Sequence, residues 1–304
     1  MKILLILLLS LAVPAAPQAA KADPAKARKA FERAQQLAEK GQAEEAFKAY
    51  TEALDADATL AAAWRERGRV RWQMGETEYG AADLNRALVQ DPDDSEAWLL
   101  RGDILVSAGR LEDAAKDYTK AVSFAKDSAH LHNSLGILYV RQRKYQSAVE
   151  EFGKAIRLRL DAPGPYKDRG VAFTLLGKFQ DAIEDYNRAL RLRPDYAEAF
   201  LERGYVYGQL GQFDQAIPDF SNTLRLQPEN AKAFTLRGAA YQQMNQPQAA
   251  VIDYSEALKR QPNSVSLLLA RGAAFAEMKE FDASLADRER AVNISPNMPE
   301  VYIA

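Results

Sequence analysis

Apolar and polar residues follow one another along most of the chain with the period of an α-helix. Within residues 197–210, for example, Phe200 and Tyr207 stand seven residues, or two helical turns, apart. A second stretch with the same pattern follows at residues 213–226, and Gly211 stands between the two. Glycine readily adopts the left-handed backbone conformation that ends many helices. The pattern therefore predicts two helices that are joined by a tight turn.

This helix–turn–helix pattern returns every 34 residues. Seven glycines mark the period without slippage: Gly68, Gly102, Gly136, Gly170, Gly204, Gly238 and Gly272. A unit of this size cannot bury its apolar face alone, so neighbouring units are expected to stack. The spacing predicts eight repeats, which span residues 27–60, 61–94, 95–128, 129–162, 163–196, 197–230, 231–264 and 265–298.

The repeat resembles the tetratricopeptide repeat (TPR). In the sixth repeat, the characteristic positions of that family hold Phe200, Gly204, Tyr207, Ala216, Phe220 and Pro228. The resemblance covers 272 of the 304 residues. It implies an all-α fold, a TPR solenoid of eight helix–turn–helix repeats that form a right-handed superhelix with a concave surface. The array would occupy residues 27–304, with a short stub at 299–304.

Two details of the repeat lead to packing expectations. Gly204 has no side chain, so we expect Ala216 of the second helix to face the gap that it leaves. Arg143 and Lys279 stand where other repeats have the turn glycine, so those two turns are expected to be less favourable.

An arginine directly precedes the repeat glycine in six repeats, where the family usually has leucine. Such a series could bind phosphate or a polyanionic glycan, or it could form internal ion pairs. An aspartate stands sixteen residues after each arginine, on the second helix of the same repeat. A partly buried cation needs a partner, because an uncompensated buried charge is costly. We therefore predict six structural ion pairs: Arg67–Asp83, Arg101–Asp117, Arg169–Asp185, Arg203–Asp219, Arg237–Asp253 and Arg271–Asp287.

Two repeats depart from this series. In the fourth repeat Leu135 replaces the arginine, and Glu151 occupies the aspartate position. In the first repeat Arg33 faces Ala49, so we expect Arg33 to be unpaired and solvated.

The N-terminal segment has a separate character. Lys2 precedes an apolar run at residues 3–13, and Ala20-Lys21-Ala22 fits the small-x-small pattern of a cleavage site. We predict a secretory signal peptide at residues 1–22 and a short linker at 23–26, and hence a bacterial periplasmic or secreted protein. The alternative is a membrane anchor, but the run of eleven residues is shorter than the roughly 20 that a spanning helix needs.

Composition argues against several kinds of chemistry. The chain has no cysteine, and its net charge of −2 argues against a nucleic-acid surface. His130 and His132 are two residues apart, so on a helix they point to different faces, and we expect His132 to pack in the core. The sequence has no phosphate-binding loop and no nucleophile motif. We expect no metal site, no cofactor and no enzymatic activity.

The resemblance implies that the first helices line a concave groove. Ten residues at the corresponding positions form the predicted partner-binding groove: Arg65, Arg69, Trp72, Asn133, Ile137, Arg141, Lys167, Val171, Leu201 and Tyr205. The family's carboxylate-binding clamp has lysine followed four residues later by asparagine, whereas Lys167 is followed by Val171. Binding to C-terminal chaperone tails is therefore disfavoured.

These observations favour a non-enzymatic scaffold that holds a peptide or a partner protein in its groove. The alternative is a glycan- or anion-binding envelope protein that uses the basic groove residues of the second repeat. The C-terminal end, where the repeat pattern stops after a short stub, is a candidate surface for oligomerisation.

Overall fold

The residues that the computed structural model describes, 22–297 and Pro299, form sixteen α-helices and no β-strand. In chain order the helices are α1 Pro24–Glu39, α2 Ala43–Ala56, α3 Ala61–Gln73, α4 Thr77–Gln90, α5 Ser95–Ser107, α6 Leu111–Phe124, α7 Ala129–Arg141, α8 Tyr145–Leu158, α9 Pro163–Leu175, α10 Phe179–Leu192, α11 Ala197–Gln209, α12 Phe213–Leu226, α13 Ala231–Gln243, α14 Pro247–Arg260, α15 Val265–Glu277 and α16 Phe281–Ile294. The predicted signal peptide, apart from Ala22, and residues 298 and 300–304 lie outside the described part.

Consecutive helices pair into eight hairpins, in which the first helix of a repeat packs against the second. The described part of the chain divides into two compact units between residues 125 and 126. In the first unit, α2 packs on α3 and α4 packs on α5. In the second unit, each second helix from α8 to α14 packs on the first helix of the following repeat. This tandem packing confirms the all-α repeat fold that the sequence predicts.

Local signals start and stop the helices. Several first helices begin after a polar side chain that accepts a hydrogen bond from the first turn, as Asp94 does from the backbone of Ala97 at 3.0 Å. The turn between the two helices of a repeat has a positive φ, 72° at Gly211. Arg143 and Lys279 adopt the same conformation, with φ of 59° and 61°. A side chain there costs about 1–2 kcal/mol relative to glycine, so these two turns carry the expected strain.

One repeat position supplies the largest buried side chains of the hairpins. The rings of Tyr50, Phe152, Tyr186 and Phe220 occupy this position and are at most 1% exposed. In the eighth repeat Arg288 stands there instead and is half-buried. The repeat glycine makes room for this ring, because an added methyl group at most of these glycines would meet it in close contact.

The sixth repeat shows this contact. A Cβ atom at Gly204 would lie 2.8 Å from the ring of Phe220 and 3.1 Å from Cβ of Asp219. The nearest atoms to the gap therefore belong to Phe220 and Asp219 and not to Ala216, because the aromatic ring is long enough to reach across the hairpin.

Candidate functional site

All six predicted arginine–aspartate pairs lie in contact across their hairpins. In each pair Nε of the arginine donates to Oδ2 of the aspartate and Nη2 donates to Oδ1, at 2.6–2.8 Å. This two-pronged geometry is the strongest form of an arginine–carboxylate contact. The aspartates are buried, and the arginines are held between the two helices of the repeat.

Five of these arginines also reach back to the preceding repeat. Their Nη1 atoms donate to a polar side chain sixteen residues earlier, on the second helix of that repeat: Thr51, Asn85, Asn187, Ser221 and Ser255, at 2.5–3.3 Å. Each arginine therefore ties three helices together. Arg169 is the exception, because Gly153 stands at the corresponding position and offers no side chain.

The surroundings of Arg203 are partly aromatic. The Arg203 guanidinium lies 5.7 Å from the centre of the Phe200 ring and 5.9 Å from that of Tyr207. Burial raises the pKa of Asp185 and Asp219 above the usual value, and the paired arginines offset only part of this effect. Each arginine of the series is thus engaged with a carboxylate of its own repeat.

In the fourth repeat a contact between His132 and Glu151 takes the place of the arginine–aspartate pair. His132 is buried, and its Nδ1 lies 2.6 Å from a carboxylate oxygen of Glu151. Its Nε2 lies 2.9 Å from the backbone carbonyl of Lys126. Trp64 and Trp98, at the same repeat position, donate to the equivalent carbonyls at 2.8 Å. His132 therefore lies in the core, and its partners are polar.

The first repeat differs from the prediction. Arg33 is not unpaired, because its Nη2 donates to Glu52 at 2.8 Å. Glu52 stands three residues beyond Ala49, one helical turn further along the second helix. Both side chains are more than half exposed, so Arg33 is solvated as expected.

In the first compact unit the basic groove residues are engaged with carboxylates. Arg65 contacts Glu66 at 2.9 Å, Asp94 at 2.7 Å and Glu96 at 3.5 Å. Arg69 contacts Glu66 at 2.9 Å and also pairs with Glu96. Burial lowers the pKa of Arg65, but the three carboxylates more than offset this and raise it overall. These cations are therefore compensated within the protein.

Trp72, the remaining groove residue of this unit, is half-buried. It packs against the apolar cluster that contains Leu84 and Ile104, and its backbone lies close to Gly80. Its ring contributes mainly to the contact between the second and third repeats.

In the second compact unit three groove residues form an apolar row. Ile137, Val171 and Tyr205 occupy the same repeat position on α7, α9 and α11, which are in contact with one another in sequence order. Ile137 is 38% exposed, and Val171 and Tyr205 are half-buried. Leu175, which is 48% exposed, lies one helical turn beyond Val171. We call Ile137, Val171 and Tyr205 the apolar row.

Polar groups flank the apolar row. Asn133 donates from Nδ2 to Asp168 at 3.3 Å, and Lys167 forms an ion pair with the same carboxylate. Burial lowers the pKa of Lys167, but Asp168 more than offsets this and raises it overall. Arg141, at the end of α7, is exposed. The row is thus bordered by hydrogen-bonding groups on α7 and α9.

Leu201 does not belong to this surface. It is only 7% exposed and packs in the core cluster with Phe220, Leu224 and Ala233. The repeat position alone predicted an exposed residue, whereas the neighbouring seventh repeat covers it.

Among residues 22–297 no group of three or more histidine, aspartate or glutamate side chains is placed to hold a metal ion. None of the sixteen described helices is both long and apolar enough to cross a membrane.

Comparison with known proteins agrees with this architecture. Family models described as tetratricopeptide repeat match residues 65–129, 129–161, 197–230 and 231–264, and one described as TPR repeat matches residues 170–211. The chain belongs to the tetratricopeptide repeat family. A search of curated proteins found no match.

Solved structures show the same fold. PilW, a type IV pilus biogenesis factor, superposes with a TM-score of 0.62 at 21% identity, over 68% of this chain and 96% of its own. A tetratricopeptide repeat protein from Parabacteroides merdae superposes with a TM-score of 0.61 at 15% identity, over 83% of this chain and 99% of its own. YrrB, a TPR protein with an unusual peptide-binding site, superposes with a TM-score of 0.54 at 19% identity, over 62% of this chain and 96% of its own. The repeats support a protein–protein interaction scaffold, and the fold is typical of non-enzymatic proteins.

Proposed function

We propose that the second compact unit binds an extended peptide segment of a partner protein across the apolar row. The observation that carries this proposal is the alignment of Ile137, Val171 and Tyr205 on three neighbouring helices. Apolar side chains that remain accessible beside polar groups are typical of peptide-binding surfaces. The solved TPR protein YrrB, described as having a peptide-binding site, gives a precedent for this use of the fold.

The spacing of the row defines the kind of peptide that fits. Neighbouring packed helices lie about 8–10 Å apart. A peptide in the polyproline II conformation advances about 3.1 Å per residue and presents every third side chain on the same face, so three residues span that distance. The expected ligand therefore carries an apolar side chain at every third position. Asn133 and Lys167 lie beside the row, where both contact Asp168.

The anion-binding alternative has less support. It needs cations that are free to bind a ligand, whereas Arg65 and Arg69 share three carboxylates of the protein itself. A glycan would have to displace these internal ion pairs before it could bind.

The place of action is also a proposal. The features of residues 1–22 favour export and removal of this segment, so the scaffold would act in the bacterial periplasm or outside the cell. Mass spectrometry of the N-terminus of the protein purified from its native compartment tests this. A chain that begins at Met1 and remains in the cytoplasm would contradict it.

Peptide selection tests the groove directly. A library of extended peptides displayed on phage is selected against the full chain, and the affinity of the enriched peptides is measured by fluorescence anisotropy. We expect enrichment of apolar residues at every third position. Tyr205→Ala should weaken binding by about tenfold or more, because buried tyrosines are frequent binding hot spots. Ile252→Ala on α14 is the control, because Ile252 is 65% exposed on a second helix. Equal affinities for both variants would overturn the proposal.

A further inference from the structure

We propose that two copies of this chain associate through oppositely charged edges of their repeats. The edge in question is the side of the hairpin stack at which each second helix ends and the next repeat begins. Because all hairpins run in the same direction, these helix ends lie along one side of each compact unit. The penultimate residue of the second helix and the residue that follows the helix define the edge in each repeat.

In the first compact unit this edge is acidic. At the end of α2, the two edge positions are occupied by Asp55 and Asp57. At the end of α4, they are occupied by Val89 and Asp91, and Asp93 follows in the next turn. Asp57 and Asp91 also accept hydrogen bonds from the backbone of the following turn, at 2.9 and 3.1 Å. Val89 is 75% exposed, although it is apolar.

Helix stability does not account for the acidic edge. The C-terminal end of a helix carries partial negative charge, so a carboxylate there is unfavourable. Asp55 lies in the last turn of α2, and among the described residues it has no cationic partner within 4.0 Å. A cation of another molecule would therefore stabilise a carboxylate at this position.

In the second compact unit the same edge is basic. Its exposed cations are Arg157, Arg159, Arg191, Arg193 and Arg225, at the ends of α8, α10 and α12, and Lys259 at the end of α14. In the described part, Arg159 has a carboxylate within 4.0 Å, Asp161 at 3.1 Å, and Lys259 pairs with Glu256, whereas the other four arginines have none. Asp195 is also exposed on this edge. Two leucines project between the cations, since Leu158 is 38% and Leu160 is 60% exposed.

A second copy of the chain fits these edges better than another partner. Each copy offers one edge of each sign, so the acidic edge of one copy can meet the basic edge of another. Val89 and Leu160 give both edges an apolar residue to bury in the contact. The net charge of −2 is too small for strong repulsion between copies, and it gives no overall attraction to an anionic membrane. Complementary potentials of this kind set the partner and the orientation of an interface.

Charge exchange between the edges tests this pairing. One variant of the full chain, Arg191→Glu with Arg193→Glu, removes most of the positive charge of the basic edge. The other, Asp55→Lys with Asp93→Lys, cancels the negative charge of the acidic edge, and it spares the carboxylates that bind the turns. Sedimentation velocity at about 50 mM salt should show wild-type dimers that dissociate near 1 M, where charges are screened beyond about 3 Å. Each variant alone should be monomeric, with association weakened at least tenfold.

The mixture of the two variants gives the decisive result. An equimolar mixture should form heterodimers, because the unchanged acidic edge of the arginine variant can meet the unchanged basic edge of the aspartate variant. Circular dichroism of each variant controls for folding. Wild type that is monomeric at low salt, variants that still dimerise alone, or a mixture that does not associate would each overturn the proposal. So would binding of monomeric wild type to phosphatidylserine vesicles that Arg191→Glu with Arg193→Glu abolishes, because the basic edge would then be a membrane surface.

Discussion

Arg203 and Asp219 lie sixteen residues apart in sequence and share two parallel hydrogen bonds, at 2.7 Å from Nε and 2.6 Å from Nη2. The same guanidinium donates to Asn187 of the preceding repeat. One side chain therefore links α10, α11 and α12. Similar links recur through the array, which explains why an arginine can replace the usual leucine at a packing position.

The first prediction concerns the cost of breaking this pair. Asp219→Ala should lower the free energy of unfolding by about 3 kcal/mol, because it leaves Arg203 partly buried without its carboxylate. Replacing both residues, as Arg203→Met with Asp219→Leu, should recover most of that loss, because it also removes the desolvation cost that raises the pKa of Asp219. Urea denaturation of the three proteins measures the difference.

An exposed pair provides the control for this experiment. Arg33 and Glu52 are in contact but are both more than half exposed. Glu52→Ala should therefore cost no more than about 0.5 kcal/mol. If Asp219→Ala were as mild as Glu52→Ala, the arginine–aspartate pairs would not hold the hairpins together.

The second prediction concerns the missing link in the fifth repeat. A Cβ atom at Gly153 would lie 3.7 Å from Nη1 of Arg169, so a serine there has room to accept its hydrogen bond. Gly153→Ala should stabilise the protein by about 0.5–1 kcal/mol through helix propensity alone. Gly153→Ser should be at least as stabilising, although serine is the poorer helix former, because a bond to a charged donor contributes about 1.5–3 kcal/mol.

A double-mutant cycle separates the two effects. In an Arg169→Ala background the hydrogen bond is absent. The variant with Gly153→Ser should then unfold at a lower melting temperature than the variant with Gly153→Ala. An unchanged order of the two variants in that background would show that the introduced hydroxyl group does not bind Arg169.

The third prediction compares two glycines of α11. A methyl group at Gly204 would lie 2.8 Å from the Phe220 ring, whereas at Gly208 it would meet nothing within 4 Å. Gly204→Ala should destabilise the protein by about 1–3 kcal/mol through overpacking. Gly208→Ala should stabilise it by about 0.5–1 kcal/mol, because alanine is the better helix former. Thermal unfolding measures both, and a tolerated Gly204→Ala would mean that the hairpin is less tightly packed than described.

Much of the fold could be predicted from the sequence because the period fixes it. The arginine–aspartate pair that Arg203 and Asp219 represent recurs at one spacing in six repeats, so its contact could be predicted from the sequence. The backward bonds were missed because their acceptors change type, from Thr51 through Asn85 to Ser221. A search for any polar residue sixteen positions before each arginine would have found them.

The groove was harder to predict because exposure depends on neighbours. Leu201 and Tyr205 are both groove positions of the repeat, but the seventh repeat covers Leu201 and leaves Tyr205 partly open. Arg65 looked like a free cation, and only the fold brings Asp94 to within 2.7 Å of it. Repeat position therefore indicates which face a residue lies on, and tertiary contacts decide whether it is available.

The most direct test of the account is to map where a bound peptide lies. A photoreactive p-benzoylphenylalanine is placed at position 137, 171 or 205 of the full chain, and at position 252 as the control outside the groove. Each protein is irradiated with a selected fluorescent peptide, and the crosslinked fraction is measured by gel electrophoresis. We predict strong crosslinking at all three positions of the apolar row and little at 252. Crosslinking that is strong at 252 and absent from the row would contradict the assignment of the groove.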